Sequence, residues 1–223
     1  MNNPAPLIIA NLKANKTWPQ MSLWLDQIGN SSVVKSFPGT VIVAPSTPFL
    51  VSASQKIKSA NLPLKLSSQD VSKFEQGAYT GEFTATQISD IASYVIIGHS
   101  ERRRELKEDD EILAKKVANS RAAGLEPIYC VQDEYTSIPQ GVKIVAYEPV
   151  FAIGTGNPDT PENAQRVVEI IKTRGDFTVI YGGSVSGENA KSFLSKKVIE
   201  GVLIGATNSL DPQKFIQIIS VLT

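Results

Sequence analysis

Short apolar runs rich in β-branched residues recur along the chain, and they constrain its fold more than any other feature. In several runs the apolar residues are consecutive, as in Tyr94–Ile97 and Val202–Ile204. Consecutive apolar positions are typical of strands covered on both faces, which occur in parallel sheets. The sequence therefore predicts parallel strands at Leu7–Asn11, Val41–Ala44, Leu64–Ser67, Tyr94–Gly98, Pro127–Cys130, Lys143–Tyr147, Thr178–Tyr181 and Gly201–Gly205.

The stretches between these runs carry helix signals. Asp109–Ala123 is followed by Gly124, a residue type favoured immediately after helices. Thr160-Pro161 and Asp211-Pro212 each fit an N-cap followed by proline at the first helical position. Further helices are predicted within Ser22–Ile28, Pro48–Ala60 and Gly187–Leu194.

Strands that alternate with helices indicate an α/β fold, either a (β/α)8 barrel or an open doubly wound sheet. We expect a single domain over residues 1–223, because no long linker or low-complexity segment interrupts the pattern. Only Val131–Val142 separates the fifth and sixth strands, and it contains Pro139 and Gly141. A helix of typical length does not fit there, so this helix is predicted to be shortened or missing.

Composition excludes several classes of partner. Lys and Arg number 22, and Asp and Glu also number 22, so no overall charge favours nucleic acid or an acidic membrane. Cys130 is the only cysteine, which excludes a disulfide within the chain and favours a reducing compartment. No basic stretch precedes the apolar run at Leu7, and no run approaches the roughly 20 residues of a membrane span. We therefore expect a soluble, cytoplasmic protein.

Polar residues follow the first and fourth predicted strands. In a parallel barrel the active site lies at the carboxyl ends of the strands. Asn11 and Lys13 share one face if the first strand continues through them, although a solvated lysine beside a turn fits equally. His99 is the only histidine and stands before a charged helical start. The positive end of a helix disfavours imidazolium, so His99 is either a neutral hydrogen-bond donor or a structural residue.

The sixth predicted strand ends in a carboxylate. Glu148 follows apolar residues, and burial of a carboxylate is unfavourable unless it has a partner or a function. Pro149 biases Glu148 away from helical backbone. The segment Val150–Gly156 is apolar first and glycine-rich afterwards, as expected of a lid that covers a site. Glu148 is therefore a candidate general base, and the alternative is a carboxylate that caps an ordinary loop.

Glycines follow the seventh and eighth predicted strands, in Gly182–Ser184 and at Gly205 before Ala206. Glycine lets backbone approach an anion closely, and phosphate often binds after these two strands in a barrel. Turns need glycine in any case, but its presence after both strands predicts a phosphate site.

These residues together resemble the triosephosphate isomerase family. The segment Ala146–Gly156 resembles that family's base-and-lid motif, with Phe151 where tryptophan is usual. Other segments resemble further motifs of the family, in family order: the first-strand motif at Asn11–Lys13, the dimer-forming third loop at Gly77–Glu82, the electrophile motif at Gly98–Arg103 and a phosphate loop at Tyr181–Val185.

The resemblance implies a (β/α)8 barrel of the TIM type that interconverts dihydroxyacetone phosphate and D-glyceraldehyde 3-phosphate through an enediolate, in glycolysis and gluconeogenesis. It implies no cofactor, no metal ion and a homodimer formed through residues 77–82; the short segment after Cys130 leaves a higher oligomer open. It also implies roles for individual residues: Glu148 as base, His99 as electrophile, Lys13 as the stabiliser of negative charge, Asn11 as a residue that orients His99 and substrate, Glu101 as the partner of Lys13, and the amides of Gly154, Ser184, Gly205 and Ala206 as phosphate donors.

The chain also departs from the family pattern beyond Phe151. Ala206 replaces a second glycine, and Thr207–Asn208 lengthens the loop that follows. The far side of the lid reads Asn157–Asp159, where Pro158 is expected to stiffen the hinge and change lid motion. Two other functions compete with isomerisation: another phosphate-binding barrel, such as a lyase or an indole-forming synthase, and a non-catalytic descendant that binds sugar phosphates or a protein.

Overall fold

The computed structural model describes residues 5–153 and 156–222. Its strands form a closed parallel barrel in which each strand pairs with the next and the last pairs with the first. The closed ring confirms the barrel and excludes the open sheet. The strands are β1 Leu7–Asn11, β2 Thr40–Ala44, β3 Lys65–Ser68, β4 Tyr94–Ile97, β5 Glu126–Val131, β6 Ile144–Tyr147, β7 Thr178–Tyr181 and β8 Gly201–Ile204.

Helices connect most of the strands on the outside of the barrel. Short 3-10 turns at Thr47–Phe49 and Val150–Ala152 supplement them. None of the described helices is both long and apolar enough to cross a membrane. The helices are α1 Trp18–Asn30, α2 Ser32–Ser36, α3 Leu50–Ser59, α4 Ala85–Ile88, α5 Ser100–Glu105, α6 Asp110–Ala122, α7 Pro161–Lys172, α8 Ala190–Leu194, α9 Ala206–Leu210 and α10 Pro212–Ser220.

The predicted helix caps are confirmed. The side chain of Asp109 accepts a hydrogen bond from the Ile112 amide, and Gly124 follows α6 with a φ of +80°. Thr160 and Asp211 cap α7 and α10 in the same way. One predicted helix is shorter than expected: Gly187–Leu194 contains only α8. Residues 186–189, just before α8, form a turn that is closed by a hydrogen bond from the Ser186 amide to Asn189 Oδ1 (2.8 Å).

The segment between β5 and β6 is described in full and contains no helix, as predicted. Instead, the Asp133 carboxylate accepts hydrogen bonds from the amides of Tyr135 (2.9 Å) and Thr136 (2.7 Å). Arg174, just after α7, donates to the carbonyl oxygens of Glu134 (2.6 Å) and Thr136 (2.9 Å). A short hydrogen-bonded loop therefore replaces the helix.

Consecutive apolar residues on each strand serve two separate cores. One cluster, which includes Ile9, Ile42 and Ile128, fills the interior of the barrel. The other, which includes Ile8 and Val41, packs between the strands and the helices. Because successive side chains of a strand point to opposite faces, both faces must be apolar. This double burial accounts for the unbroken apolar runs in the sequence.

A buried ionic cluster joins the loop after β3 to α5 and α6. The Lys116 ammonium lies 2.7 Å from an Asp70 oxygen and 2.6 Å from Glu108 Oε1. The Arg102 guanidinium lies 2.7 Å from both carboxylates. Burial raises the pKa of the Asp70 carboxyl despite the two cations. Burial also opposes ionisation of Glu108, but hydrogen bonds from Arg102 and Lys116 hold its pKa below the usual range.

Loss of the buried cation from this cluster is predicted to destabilise the fold strongly. The side chain of Lys116 is 5 % exposed, whereas that of its neighbour Lys115 is 57 % exposed and pairs with Glu111. Lys116→Met leaves two buried carboxylates short of a cation, and we expect a loss of about 3–5 kcal/mol in the free energy of unfolding. Lys115→Met is the matched control, with an expected change below about 0.5 kcal/mol. Urea unfolding measures both, and equal losses in the two variants would contradict the prediction.

Candidate active site

A cavity of about 420 Å³ opens at the carboxyl ends of the strands. Six of the predicted site residues are among the described residues that line it: Asn11, Lys13, His99, Glu148, Ser184 and Gly205. Glu101 is paired with Lys13 beside the cavity. Ala206 begins α9 at the same end of the barrel, and Gly154 lies outside the described residues.

Lys13 reaches the cavity from an uncommon backbone conformation. Its φ is +51°, in the left-handed region that non-glycine residues seldom adopt. Hydrogen bonds hold it there: its amide donates to Asn11 Oδ1 (3.1 Å), and its carbonyl accepts from Ser46 Oγ (2.9 Å) and Gln69 Nε2 (3.0 Å). Asn11 therefore fixes the lysine as well as lining the cavity.

Gly205 makes room for the Lys13 side chain. A Cβ at Gly205 would lie 3.2 Å from Lys13 Cε. The lysine ammonium donates a hydrogen bond to the Glu101 carboxylate. Burial alone would raise the pKa of Glu101, but the hydrogen bond and the charge of Lys13, together with the nearby Arg104, hold it below the usual range. Glu101 is thus a charged partner for Lys13.

The backbone defines the protonation of His99. The residue caps α5, and its Nδ1 accepts a hydrogen bond from the Glu101 amide at 3.2 Å. A nitrogen that accepts this bond carries no proton, so the imidazole proton lies on Nε2. Nε2 is 3.4 Å from Glu148 Oε1. The geometry is that of a neutral imidazole whose N–H points into the site.

Glu148 is held at the wall of the cavity and is only 1 % exposed. The Ser100 amide donates to its Oε2 at 3.4 Å, a long contact like the one with His99. A Cβ at Gly182 would lie 2.9 Å from Glu148 Cγ, so only glycine leaves space for this carboxylate. Burial raises the pKa of the neighbouring Cys130 thiol well above its usual range, and the Glu148 charge adds to the rise. Cys130 is therefore an uncharged neighbour.

Ser100 and Gly182 contact Glu148 in the structure, but the sequence pattern alone does not mark either of them as a site residue. Ser100 follows His99 at the start of a helix, where free backbone amides are expected, and this position was an available signal. Gly182 was recognised as part of a phosphate loop. Its contact with Glu148 joins two residues that are 34 positions apart, and no local pattern reveals such a contact.

Side-chain amides organise the loops after β7 and β8. Ser184 has a φ of +50°, and its carbonyl accepts from Asn189 Nδ2 at 3.0 Å. Asn208 Nδ2 donates to the Val185 carbonyl at 2.7 Å and so joins the two loops. Both asparagines line the cavity and were not predicted as site residues. In the sequence, only their position after the glycines that follow β7 and β8 indicates that they belong to the site.

The segment predicted to be a lid begins directly after Glu148. Val150 and Phe151 are exposed, whereas Ala152 is buried. The Ser184 hydroxyl donates a hydrogen bond to the Ala152 carbonyl. The near part of the lid is therefore attached to the loop after β7.

Within the described residues, no group of three His, Cys, Asp or Glu side chains is arranged to hold a metal ion.

Comparison with known proteins gives one consistent family. The family model described as "Triosephosphate isomerase" matches residues 6–222. A triosephosphate isomerase of Mesomycoplasma hyopneumoniae (strain 7448) is 35% identical over an alignment of 237 positions that covers 94% of this chain and 96% of that protein. The enzyme of Hahella chejuensis is 34% identical over 96% of both chains. That of Aquifex aeolicus is 33% identical over 96% of this chain and 98% of its own.

Proposed function

Since the chain belongs to the triosephosphate isomerase family, whose reaction interconverts dihydroxyacetone phosphate and D-glyceraldehyde 3-phosphate in glycolysis, we propose that its reaction takes place in the cavity lined by Lys13, His99 and Glu148. One observation carries the proposal: a buried carboxylate, a neutral imidazole and an ammonium group meet at one cavity. The family match excludes the lyase and synthase alternatives, and the presence of Lys13, His99 and Glu148 together argues against a non-catalytic descendant.

Glu148 acts as the base in this proposal. Its carboxylate takes a proton from the carbon beside the substrate carbonyl, and the C–H electron pair forms the carbon–carbon double bond of the enediolate. The proton then returns to the neighbouring carbon. The hydroxyl proton of the second oxygen passes to the first oxygen, so the second oxygen becomes the carbonyl and the first becomes a hydroxyl. The contacts of Glu148 with His99 and Ser100 are long, at 3.4 Å each, so they hold its oxygens only weakly and the carboxylate can accept a proton.

His99 and Lys13 stabilise the charge that develops on oxygen. The Nε2–H of His99 donates to the carbonyl oxygen as it becomes an enolate, and the Lys13 ammonium offsets the negative charge. The Lys13–Glu101 bond occupies the lysine before substrate binds. We propose that the substrate replaces Glu101 as the partner of Lys13. Asn11, which holds the Lys13 amide, positions the lysine for this exchange.

The phosphate lies, in this proposal, against the loops after β7 and β8. Gly205 precedes α9, and its lack of a side chain leaves backbone accessible next to Lys13. The amides of Ser184, Gly205 and Ala206 are proposed as donors, and Gly154 of the lid completes the set. Ala206 donates through its backbone, so its methyl group in place of a second glycine does not remove the bond.

Removal of the base is the direct test of this mechanism. Glu148→Gln keeps the size of the side chain but cannot accept the proton, and we expect kcat to fall by about 10³-fold. Turnover of glyceraldehyde 3-phosphate in a coupled assay measures it. Glu169→Gln on the outer face of α7 is the matched control, with unchanged kcat. A Glu148→Gln enzyme that turned over at the rate of the control would refute the assignment.

We also propose a homodimer through the loop Gly77–Glu82. Its residues are exposed, and the Tyr79 ring stacks on Phe74 at a centroid distance of 3.9 Å, which holds a 44 % exposed aromatic ring outward. The exposed Leu106 lies in a groove that this loop borders. The groove is lined by apolar and charged side chains together, and an outward-facing aromatic ring beside it is typical of an interface with a second copy, because aromatic residues are enriched at interfaces.

The dimer is tested by mass measurement on variants. Light scattering on the wild type is expected to give twice the mass of the chain, and Tyr79→Asp is expected to give a monomer, because a charge at an apolar contact is strongly unfavourable. Tyr135→Asp is the control: Tyr135 is 84 % exposed in the loop that replaces the missing helix. If Tyr135→Asp lowers the mass and Tyr79→Asp does not, the subunits meet at the loop of Tyr135. The assembly is then a higher oligomer instead of the proposed dimer.

The remaining proposals concern organisation and location. We propose that residues 1–223 form one catalytic domain, since the family match spans residues 6–222 and the strands share one barrel. We also propose a cytoplasmic location, which suits a glycolytic reaction and a single buried, unpaired cysteine.

A further inference from the structure

A buried carboxylate stands at the far end of the lid. Asp159 Oδ2 accepts hydrogen bonds from the Tyr147 hydroxyl (3.2 Å) and from Asn163 Nδ2 (2.8 Å). Its Oδ1 accepts from the Thr160 amide at 2.8 Å. The Asp159 amide in turn donates to the Tyr181 hydroxyl at 2.8 Å. Both the side chain and the backbone of this residue are therefore attached to the barrel.

The partners of Asp159 come from the elements that carry the site. Tyr147 ends β6 and directly precedes Glu148, and Tyr181 ends β7 and directly precedes the glycine loop. The two tyrosine rings lie 6.1 Å apart, and Tyr181 stacks on Phe193. Asn163 belongs to the first turn of α7. Asp159 thus connects the lid to the strand of the base and to the strand of the phosphate loop.

Burial of the Asp159 carboxylate favours a fixed attachment of the far end of the lid. A buried carboxylate is stable only while donors surround it, so movement of Asp159 away from its donors is unfavourable. Burial raises the pKa of Tyr147, and the Asp159 charge adds to the rise. Burial raises the pKa of Tyr181 as well. Both hydroxyls therefore keep their protons, and Tyr147 remains a donor.

We propose that Asp159 is a positioning residue for the isomerisation: its carboxylate fixes the far end of the lid to Tyr147 and α7, so that lid movement is confined to the residues before it. Asp159 does not contact the reacting atoms. It acts through the lid, which keeps water from the enediolate, and through Tyr147, whose backbone continues into Glu148. The inference rests on the proposed role of Glu148 as base.

The readout follows from the chemistry of an uncovered enediolate. When the lid does not close correctly, the intermediate loses phosphate. The enediolate oxygen on C1 becomes a carbonyl, the C1–C2 double bond moves to C2–C3, and the C3–O bond breaks with its electron pair leaving on the phosphate. The fraction of turnovers that release inorganic phosphate from dihydroxyacetone phosphate therefore reports on lid geometry. A change in fold stability alone does not alter this fraction.

Asp159→Asn and the exchange variant Asp159→Asn/Asn163→Asp form the central pair. The single variant keeps one acceptor oxygen and turns the other into a donating NH2 group, which then faces either the Thr160 amide or the donors of Tyr147 and Asn163. The exchange restores an amide–carboxylate pair without changing net charge, and residue 163 can still accept from Arg166, as Asn163 Oδ1 does. Tyr147→Phe removes one donor and gives a milder change. Asp176→Asn is the control, since this exposed carboxylate precedes β7 at the opposite end of the barrel.

We expect Asp159→Asn to lower kcat about tenfold, because the free energy lost is about that of one hydrogen bond to a charged group. We also expect it to raise the fraction of turnovers that release phosphate. Tyr147→Phe is expected to change both in the same direction, and the exchange variant to recover most of the loss. Melting temperatures are measured for every variant. An unchanged phosphate fraction in Asp159→Asn and Tyr147→Phe overturns the proposal, as does an exchange variant that folds without recovery.

The role of Glu148 and the role of Asp159 are tested separately. If Glu148 is not the base, Glu148→Gln stays active whatever Asp159 does. If Glu148 is the base and Asp159 has no positioning role, Glu148→Gln is inactive while Asp159→Asn retains the kcat and the phosphate fraction of the Asp176→Asn control.

Discussion

The pairing of β1 with β8 closes the barrel, and the position of every site residue depends on it. Leu7 lies opposite Gly201 and Ala10 opposite Ile204. The strands approach so closely that a Cβ at Gly201 would lie 2.2 Å from the Leu7 carbonyl oxygen. Closure brings the segment after β1, with Lys13, beside Gly205 at the end of β8. The lysine and the proposed phosphate loop are thereby neighbours despite their separation in sequence.

Backbone amides determine the state of the site before substrate binds. The Glu101 amide occupies Nδ1 of His99, which leaves the imidazole neutral with its proton on Nε2. The Ser100 amide contacts Glu148 from the same helix start. The first turn of α5 therefore positions both the proposed electrophile and the proposed base. The ionic cluster of Asp70, Arg102, Glu108 and Lys116 holds this helix against α6 and the loop after β3.

The elements of the fold could be predicted because their signals are local. Apolar runs mark the strands, and the pairs Thr160-Pro161 and Asp211-Pro212 mark helix starts that the structure confirms. The short loop in place of a helix followed from chain length together with Pro139 and Gly141. The candidate residues that line the cavity were found because the carboxyl ends of parallel strands meet at one end of a barrel.

Contacts between distant residues could not be predicted in this way. The sequence shows Asp159 as a polar residue after a proline, which is ordinary in a turn, and nothing local connects it with Tyr147 or Tyr181. The bond from Asn208 to the Val185 carbonyl depends equally on how two loops meet. The expected stiffening of the lid by Pro158 remains a prediction.

The central claim is that a carboxylate at the mouth of the barrel moves a proton between adjacent carbons. Conversion of dihydroxyacetone phosphate in deuterated water, followed by nuclear magnetic resonance of the product, tests it most directly. A base that exchanges part of its protons with solvent before it returns them delivers deuterium to C2 of glyceraldehyde 3-phosphate, on one face only, and to no other carbon. Deuterium at C3, deuterium on both faces of C2, or incorporation by Glu148→Gln at the wild-type rate would contradict proton transfer by Glu148.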